Sequence, residues 1–136
     1  MMTYSCTARA TSKNDASLTI KQSEIRFGTT AETADTLPNP AELFLGSLAA
    51  CILKNVERFS EFMNFEYSTA ELHINATRLE KPPRMDDIHY RLKIHTPETH
   101  LNTKLLKKNI EKFGTIYNTV KLSATISGEL EVVTDK

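Results

Sequence analysis

Cys51 closes the run Ser47-Leu48-Ala49-Ala50-Cys51, in which small side chains let a second backbone or a substrate come close to the sulfur. An ionised cysteine in such a place is a nucleophile and a reductant. The plain alternative is a small buried hydrophobe, because free cysteine is among the most buried residue types. Cys6 is the second thiol. It shares the apolar face of an alternating segment with Tyr4 and Ala8, which predicts a core role. A bridge from Cys6 to Cys51 needs Cα atoms within about 7 Å. Two cysteines are too few for a disulfide framework or a structural zinc site, so cysteine chemistry here is redox or nucleophilic.

The other chemistry-bearing residues point to less. His73 alternates with Glu71 and Asn75, and His89 and His95 alternate with Arg91 and Lys93, on faces opposite the apolar ones. No two of these have zinc-finger or helical i, i+4 spacing, so the expectation is no metal, no nucleotide loop and no organic cofactor. Lys104, Lys107, Lys108 and Lys112 form the densest basic run. Glu111 interrupts it, and the spacing predicts one solvated helix face.

The elements that must position Cys51 follow from periodicity. Alternation at Tyr4, Cys6, Ala8 and Ala10, turn chemistry from Ser12 to Asp15, and alternation at Leu18 and Ile20 predict a hairpin. Ile25 and Phe27 give a third strand ending at Gly28, followed by a polar loop, residues 29–36. Asn39-Pro40-Ala41-Glu42 is a helix start: Asn caps, Pro fits the first helical position, and Glu three residues on completes a capping box. From Leu43 to Leu53 no residue is charged, which predicts burial on every side; Val56, Phe59 and Phe62 then continue an amphipathic pattern to about Asn64. Strands follow at residues 70–76 and 88–94, joined by the loop Lys81-Pro82-Pro83-Arg84. Leu101, Leu105, Leu106, Ile110 and Phe113 mark a second helical region, broken at Gly114 before Ile116 and Tyr117. A last strand is expected from Val120 through Val132. The order is three strands, a buried helix, two strands, helical segments and a strand, an α+β class. A chain this small cannot easily cover every face of that helix, so a second copy is an economical cover and a homodimer is expected.

Composition sets the outer bounds. The 136 residues predict one domain, residues 1–136, with 40% apolar and 25% charged residues, far from the signature of disorder. Seventeen basic residues balance seventeen acidic ones, so no global field draws the chain to nucleic acid or an anionic membrane. No secretory signal pattern opens the chain and no stretch of about 18 apolar residues occurs, which predicts a cytoplasmic protein with no membrane partner.

The segment Asn39-Pro40-Ala41-Glu42-Leu43-Phe44-Leu45-Gly46-Ser47-Leu48-Ala49-Ala50-Cys51 resembles the hallmark of the osmotically inducible protein C / organic hydroperoxide resistance (OsmC/Ohr) family, an Asn-Pro helix start followed by an Ala-rich stretch and a reactive cysteine. The element order is similar across nearly the whole chain. That resemblance implies an intertwined homodimer with a mixed sheet, central helices packed inside and sites at the subunit interface. It also implies thiol-dependent reduction of organic hydroperoxides, with Cys51 at the peroxidatic position. Cys51 lies roughly 16 Å from the helix start, beyond the reach of the macrodipole, so a cation must hold the thiolate. Lys54, three residues on, and Arg9 and Arg26 on the early strands are candidates. Surface solvation is the ordinary role of each.

Three positions depart from the family pattern. Ala41 stands where the peroxidase branch has a catalytic glutamate, and Glu42 is taken up as a cap. The family's activating arginine lies in the first hairpin turn, here Ser12-Lys13-Asn14-Asp15, where Lys13 is a partial replacement because it lacks the planar fork. Gly114 stands in place of the second, resolving cysteine. The pattern then implies a one-cysteine cycle in which an external dithiol reduces the sulfenic acid. The alternative is a family member without catalysis that binds a small hydrophobic ligand at the dimer interface. A purely structural dimer is the third reading.

Overall fold

Turn chemistry shapes the first part of the chain as the sequence suggests. In this computed structural model, which describes residues 1–135, β1 (Thr7–Ala10) and β2 (Ala16–Ile20) form an antiparallel hairpin whose turn holds Lys13 at φ 69°. β3 (Ser23–Phe27) pairs antiparallel on the other side of β2. The loop after β3 contains a short 3-10 turn, Ala31–Thr33, and is tied to the hairpin through one carboxylate. Asp15 Oδ1 accepts the Thr29 N–H (3.1 Å) and the Thr30 (3.2 Å) and Thr33 (2.6 Å) hydroxyls. The Thr33 hydroxyl, more than any other group, holds the Asp15 carboxyl below the usual carboxylate range.

The chain divides into two compact units, residues 1–44 and 45–136. In the first, Ala16 is the buried apolar residue among those described. The core role expected for Cys6 is not found. Cys6 is exposed and Tyr4 is 78% exposed; both precede β1, and β1 is itself exposed along its whole length although it pairs with β2.

Helix α1 (Pro40–Phe62) starts at the anticipated capping box. The Glu42 N–H donates to Asn39 Oδ1 (2.9 Å) and the Asn39 N–H to Glu42 Oε1 (3.0 Å). In the second unit α1 buries one face, Leu48, Ile52, Val56 and Phe59, at helical spacing. Burial on every side, expected from the uncharged run, is therefore corrected: Gly46 and Ala50 are exposed in the single chain. A run without charge permits burial all round, but one packing layer covers only one face of a helical cylinder.

The second sheet has the order β4-β5-β6, with β4 (Thr69–Glu80) antiparallel and β6 (Ile126–Thr134) parallel to β5 (Pro83–Thr96). The fold is α+β with a mixed sheet, and its strands divide between two three-stranded sheets. The β4–β5 connection is only Lys81-Pro82, because Pro83 and Arg84 already belong to β5. A parallel neighbour requires a crossover, supplied by α2 (Thr103–Lys112) and α3 (Thr115–Val120). Val120 ends α3 and is not the start of the last strand. The Ser123 and Ala124 N–H groups both donate to its carbonyl at 3.0 Å, and the turn leaves Leu122 85% exposed. The alternation at residues 120, 122 and 124 is thus a coincidence of a helix end and a turn.

Central strand β5 buries Ile88, Tyr90, Leu92 and Ile94 against α1, α2 and Tyr117 in one cluster. Tyr90 faces Gly128 across the parallel pair, and a Cβ at position 128 would fall within its ring. The missing side chain lets the ring lie across β6 and bring its hydroxyl to Glu111 Oε2 (2.5 Å). Burial first, then Glu111, raises the Tyr90 phenol well above its ordinary value, so it stays a proton donor.

The start of β6 is pinned by Asp86, whose Oδ1 accepts the Thr125 (2.7 Å) and Asp87 (2.9 Å) N–H groups. The Thr125 N–H is the main reason that its carboxyl is held below the ordinary value. A depressed folded-state value contributes stability that is present above about pH 3.9 and lost as pH falls through the folded value. Asp86→Asn keeps an acceptor but not the charge. The melting temperature of this variant is expected to fall less steeply with acidification below about pH 4 than that of the wild type. Parallel curves would remove Asp86 from the acid response.

Candidate functional site

Cys51 lies on α1 between the buried Leu48–Ile52 stripe and the exposed face, and it is itself half-buried. Its sulfur packs on the backbone where α2 gives way to α3. A Cβ built on Gly114 would stand 3.0 Å from Cys51 Sγ, 3.0 Å from Tyr117 Cβ and 3.1 Å from the Ile110 carbonyl oxygen. Position 114 is buried, and glycine there lets bare backbone meet the sulfur. The residue that the resemblance sets at the family's second-cysteine position is thus the one that touches Cys51.

One turn further along α1, Asn55 fixes this approach. Asn55 is 7% exposed, and its Nδ2 donates to the Ile110 carbonyl at 3.1 Å. Continued helix would give that carbonyl the Gly114 N–H, which turns instead to the Glu111 carbonyl (3.4 Å). The helix break thus leaves an acceptor that Asn55 fills. Sequence reasoning missed Asn55; the available signal was a polar residue at i+4 from Cys51 on the buried stripe.

The candidate cations sit as follows. Lys54 is exposed on α1, one turn after Cys51, and takes part in no ion pair among the described residues. Arg9 pairs with Ser17 across β1–β2, and Ser17 pairs with Arg26 across β2–β3. Arg9 and Arg26 therefore stand on one face of the first sheet, at one register line, both exposed. Lys13 is exposed in the hairpin turn. These three residues belong to the first unit, and Cys51 and Lys54 to the second.

At the far end of α1, Arg58 lies over the rings of Phe59 (5.6 Å), Phe62 (5.7 Å) and Phe113 (5.9 Å). Phe62 and Phe113 remain 73% and 46% exposed, so the residue before Gly114 presents an aromatic face to solvent. The histidines expected on a solvated sheet face divide. His73 is exposed, whereas His89 and His95 are half-covered beside Glu129 (3.7 Å) and Glu71 (3.4 Å). His95 Nε2 is buried and makes no hydrogen bond. Among the described residues no group of three or more His, Cys, Asp or Glu is placed to hold a metal ion, and no helix is long and apolar enough to cross a membrane.

Comparison with known proteins supplies the context for this geometry. A family profile described as OsmC-like protein matches residues 32–129. The fold matches the OsmC-like protein from Mycoplasma pneumoniae with a TM-score of 0.86 at 17% identity, covering 97% of this chain and 98% of that one. A hypothetical protein from Aquifex aeolicus VF5 matches at 0.81 and 20% identity over 100% of both chains. An organic hydroperoxide resistance protein OsmC from Legionella pneumophila matches at 0.69 and 14% identity, covering 97% and 100%. At these identities the likeness establishes the fold. Among curated proteins, none matches this sequence.

The Gly114 contact makes a geometric prediction. In a disulfide a Cβ and the opposite sulfur are separated by about 3 Å, given the S–S length. Gly114→Cys is therefore expected to bridge to Cys51 on mild oxidation, so that neither of these thiols labels with maleimide until a reductant is added. Persistent labelling of both under oxidant would contradict the contact.

Proposed function

This chain belongs to the OsmC-like protein family, and from that premise we propose that it reduces organic hydroperoxides through Cys51. The observation that carries the reading is the half-buried sulfur seated on the bare backbone of Gly114, with Asn55 fixing the helix break beside it. The OsmC and OhrB proteins of Legionella pneumophila and Bacillus subtilis, which share the fold, are named for organic hydroperoxide resistance.

The thiolate attacks the terminal peroxide oxygen. The O–O bond breaks, the alkoxide leaves and takes up a proton as the alcohol, and Cys51 becomes a sulfenic acid. An external dithiol then forms a mixed disulfide with loss of water. Its second sulfur displaces Cys51 as the thiol, and the dithiol leaves oxidised. A one-cysteine cycle fits this chain because the position against the sulfur is Gly114. Lys54, Arg9, Arg26 and Lys13 are the candidate cations for the thiolate, Lys54 from the same helix and the others from the first unit. We read residues 1–136 as one OsmC-like domain, since the family match crosses the boundary between the two units. The reading places the protein in the cytoplasm as a homodimer, which gives the exposed surface of α1 around Gly46 and Ala50 a cover.

One observation favours a second reading, a non-catalytic protein that binds a small hydrophobic ligand. Glu42 is held in the capping box by Asn39 and is not free to replace the glutamate absent at Ala41.

Purified protein is expected to consume cumene hydroperoxide in the presence of dithiothreitol, and Cys51→Ser to fall to the uncatalysed background. Equal rates for the two proteins would end the redox reading. The second reading predicts instead that a hydrophobic ligand raises the melting temperature and still does so in Cys51→Ala. In sedimentation at micromolar concentration the particle is expected at twice the 15.3 kDa chain mass; a monomer mass would remove the homodimer.

A further inference from the structure

Lys104, Lys108 and Lys112 are exposed, as the solvated helix face read from sequence requires, and Lys107 is half-covered. Lys104, Lys107, Lys108 and Lys112 of α2 meet Lys121, at the end of α3, around a concavity of about 540 Å³ that also contains Tyr117 and Glu111. Residues 101–125 hold five lysines and one glutamate, a surplus of four positive charges in a chain whose net charge is zero. The single carboxylate does not offset the rest. Glu111 Oε2 already accepts the Tyr90 hydroxyl (2.5 Å) and Lys107 Nζ (3.0 Å).

Helix stability accounts for only part of this pattern: Lys112 suits the last turn and Lys107 pairs with Glu111 at i, i+4, but the remaining lysines have no such reason. Lys104 stands in the first turn of α2, where the macrodipole favours a carboxylate, and that turn contains no acidic residue. Lys104, Lys108 and Lys112 follow one another at i, i+4, an arrangement of like charges that opposes the helix. Local rules broken together in one concave place mark a site where a ligand supplies the missing charge.

We propose that the concavity between α2 and α3 binds a small polyanion carrying a di- or triphosphate group. Its volume is that of a small-molecule site, and lysine is a point-charge donor suited to phosphate oxygens without the planar fork that carboxylates select. Tyr117 is the sole aromatic residue in the lining, so no stacking platform holds a base and the phosphates carry the affinity. A long nucleic acid fits poorly, because the rest of the chain carries a surplus of four negative charges that repel a strand running beyond the pocket.

Calorimetric titration of the full chain with sodium tripolyphosphate tests this. Saturable binding of one ion per chain is expected in about 20 mM salt, weakening at least about tenfold in about 300 mM salt. Lys104→Glu, which turns the 104/108 repulsion into an attraction, places a carboxylate in the first turn and so keeps the helix, and separately Lys121→Glu on α3, are each expected to weaken it about tenfold with unchanged circular dichroism. Cys51→Ser is expected to bind as the wild type does, which separates this site from the thiol chemistry. Equal affinity for ATP and tripolyphosphate is expected, because the phosphate group alone is recognised; markedly tighter ATP would overturn that by showing that the base is held as well. Absence of saturable heat, indifference to both charge reversals, or tighter binding of a glutamate-rich peptide would overturn the proposal, the last by assigning the surface to a protein partner.

Discussion

The second unit is organised around the place where α2 stops and bare backbone takes its place against α1. With no side chain at Gly114, the Cys51 sulfur rests on the main chain, and the Ile110 carbonyl released by the break is taken by Asn55. These are two halves of one constraint. The break frees an acceptor in the interior, and the helix that carries the thiol supplies the donor. A side chain at 114 that is not bonded to the sulfur would push on α1 and strain the Asn55 bond; without Asn55 a buried carbonyl would be left unpaired, at a cost of about 1–3 kcal/mol.

The other side of α2 is fixed by a different economy of space. Gly128 lets the Tyr90 ring cross β6, which brings a buried phenol to Glu111, and Lys107 completes the pair from one turn earlier. Burial, reinforced by Glu111, raises the Tyr117 phenol as well, so both tyrosines remain protonated donors toward the same carboxylate. Glu111 is thereby committed to Lys107 and the interior network, and the other lysines of the concavity form no ion pair among the described residues. A ten-residue helix thus presents its end to the thiol and its lysine row to the concavity shared with α3.

Much of this was legible in the chain. The Asn39–Glu42 capping box, the hairpin turn at Lys13, the break at Gly114 and the α+β order follow from turn, cap and period signals, all local in sequence. Errors arose where a local signal had two readings. Residues 120, 122 and 124 alternate as a strand does, yet Val120 ends a helix, because the turn at Lys121–Ser123 is set by bonds to the Val120 carbonyl and not by apolar spacing. Cys6 and Tyr4 alternate correctly but lie before β1, and β1, though paired with β2, is exposed along its length, so the alternation has no inside.

The sequence by itself determined which residue types stand where: a thiol in a small-residue helix, a glycine where that helix's neighbour must break, and lysines in a like-charged row. Those are properties of covalent order and of interactions reaching three or four residues. The tertiary structure alone decided that Gly114 lies against Cys51, that Asn55 finds the Ile110 carbonyl fifty-five residues away, and that Lys121 joins the α2 lysines around one concavity. Such meetings depend on how sheet and helices close over a shared core, and no periodicity along the chain encodes a distance between residues that far apart.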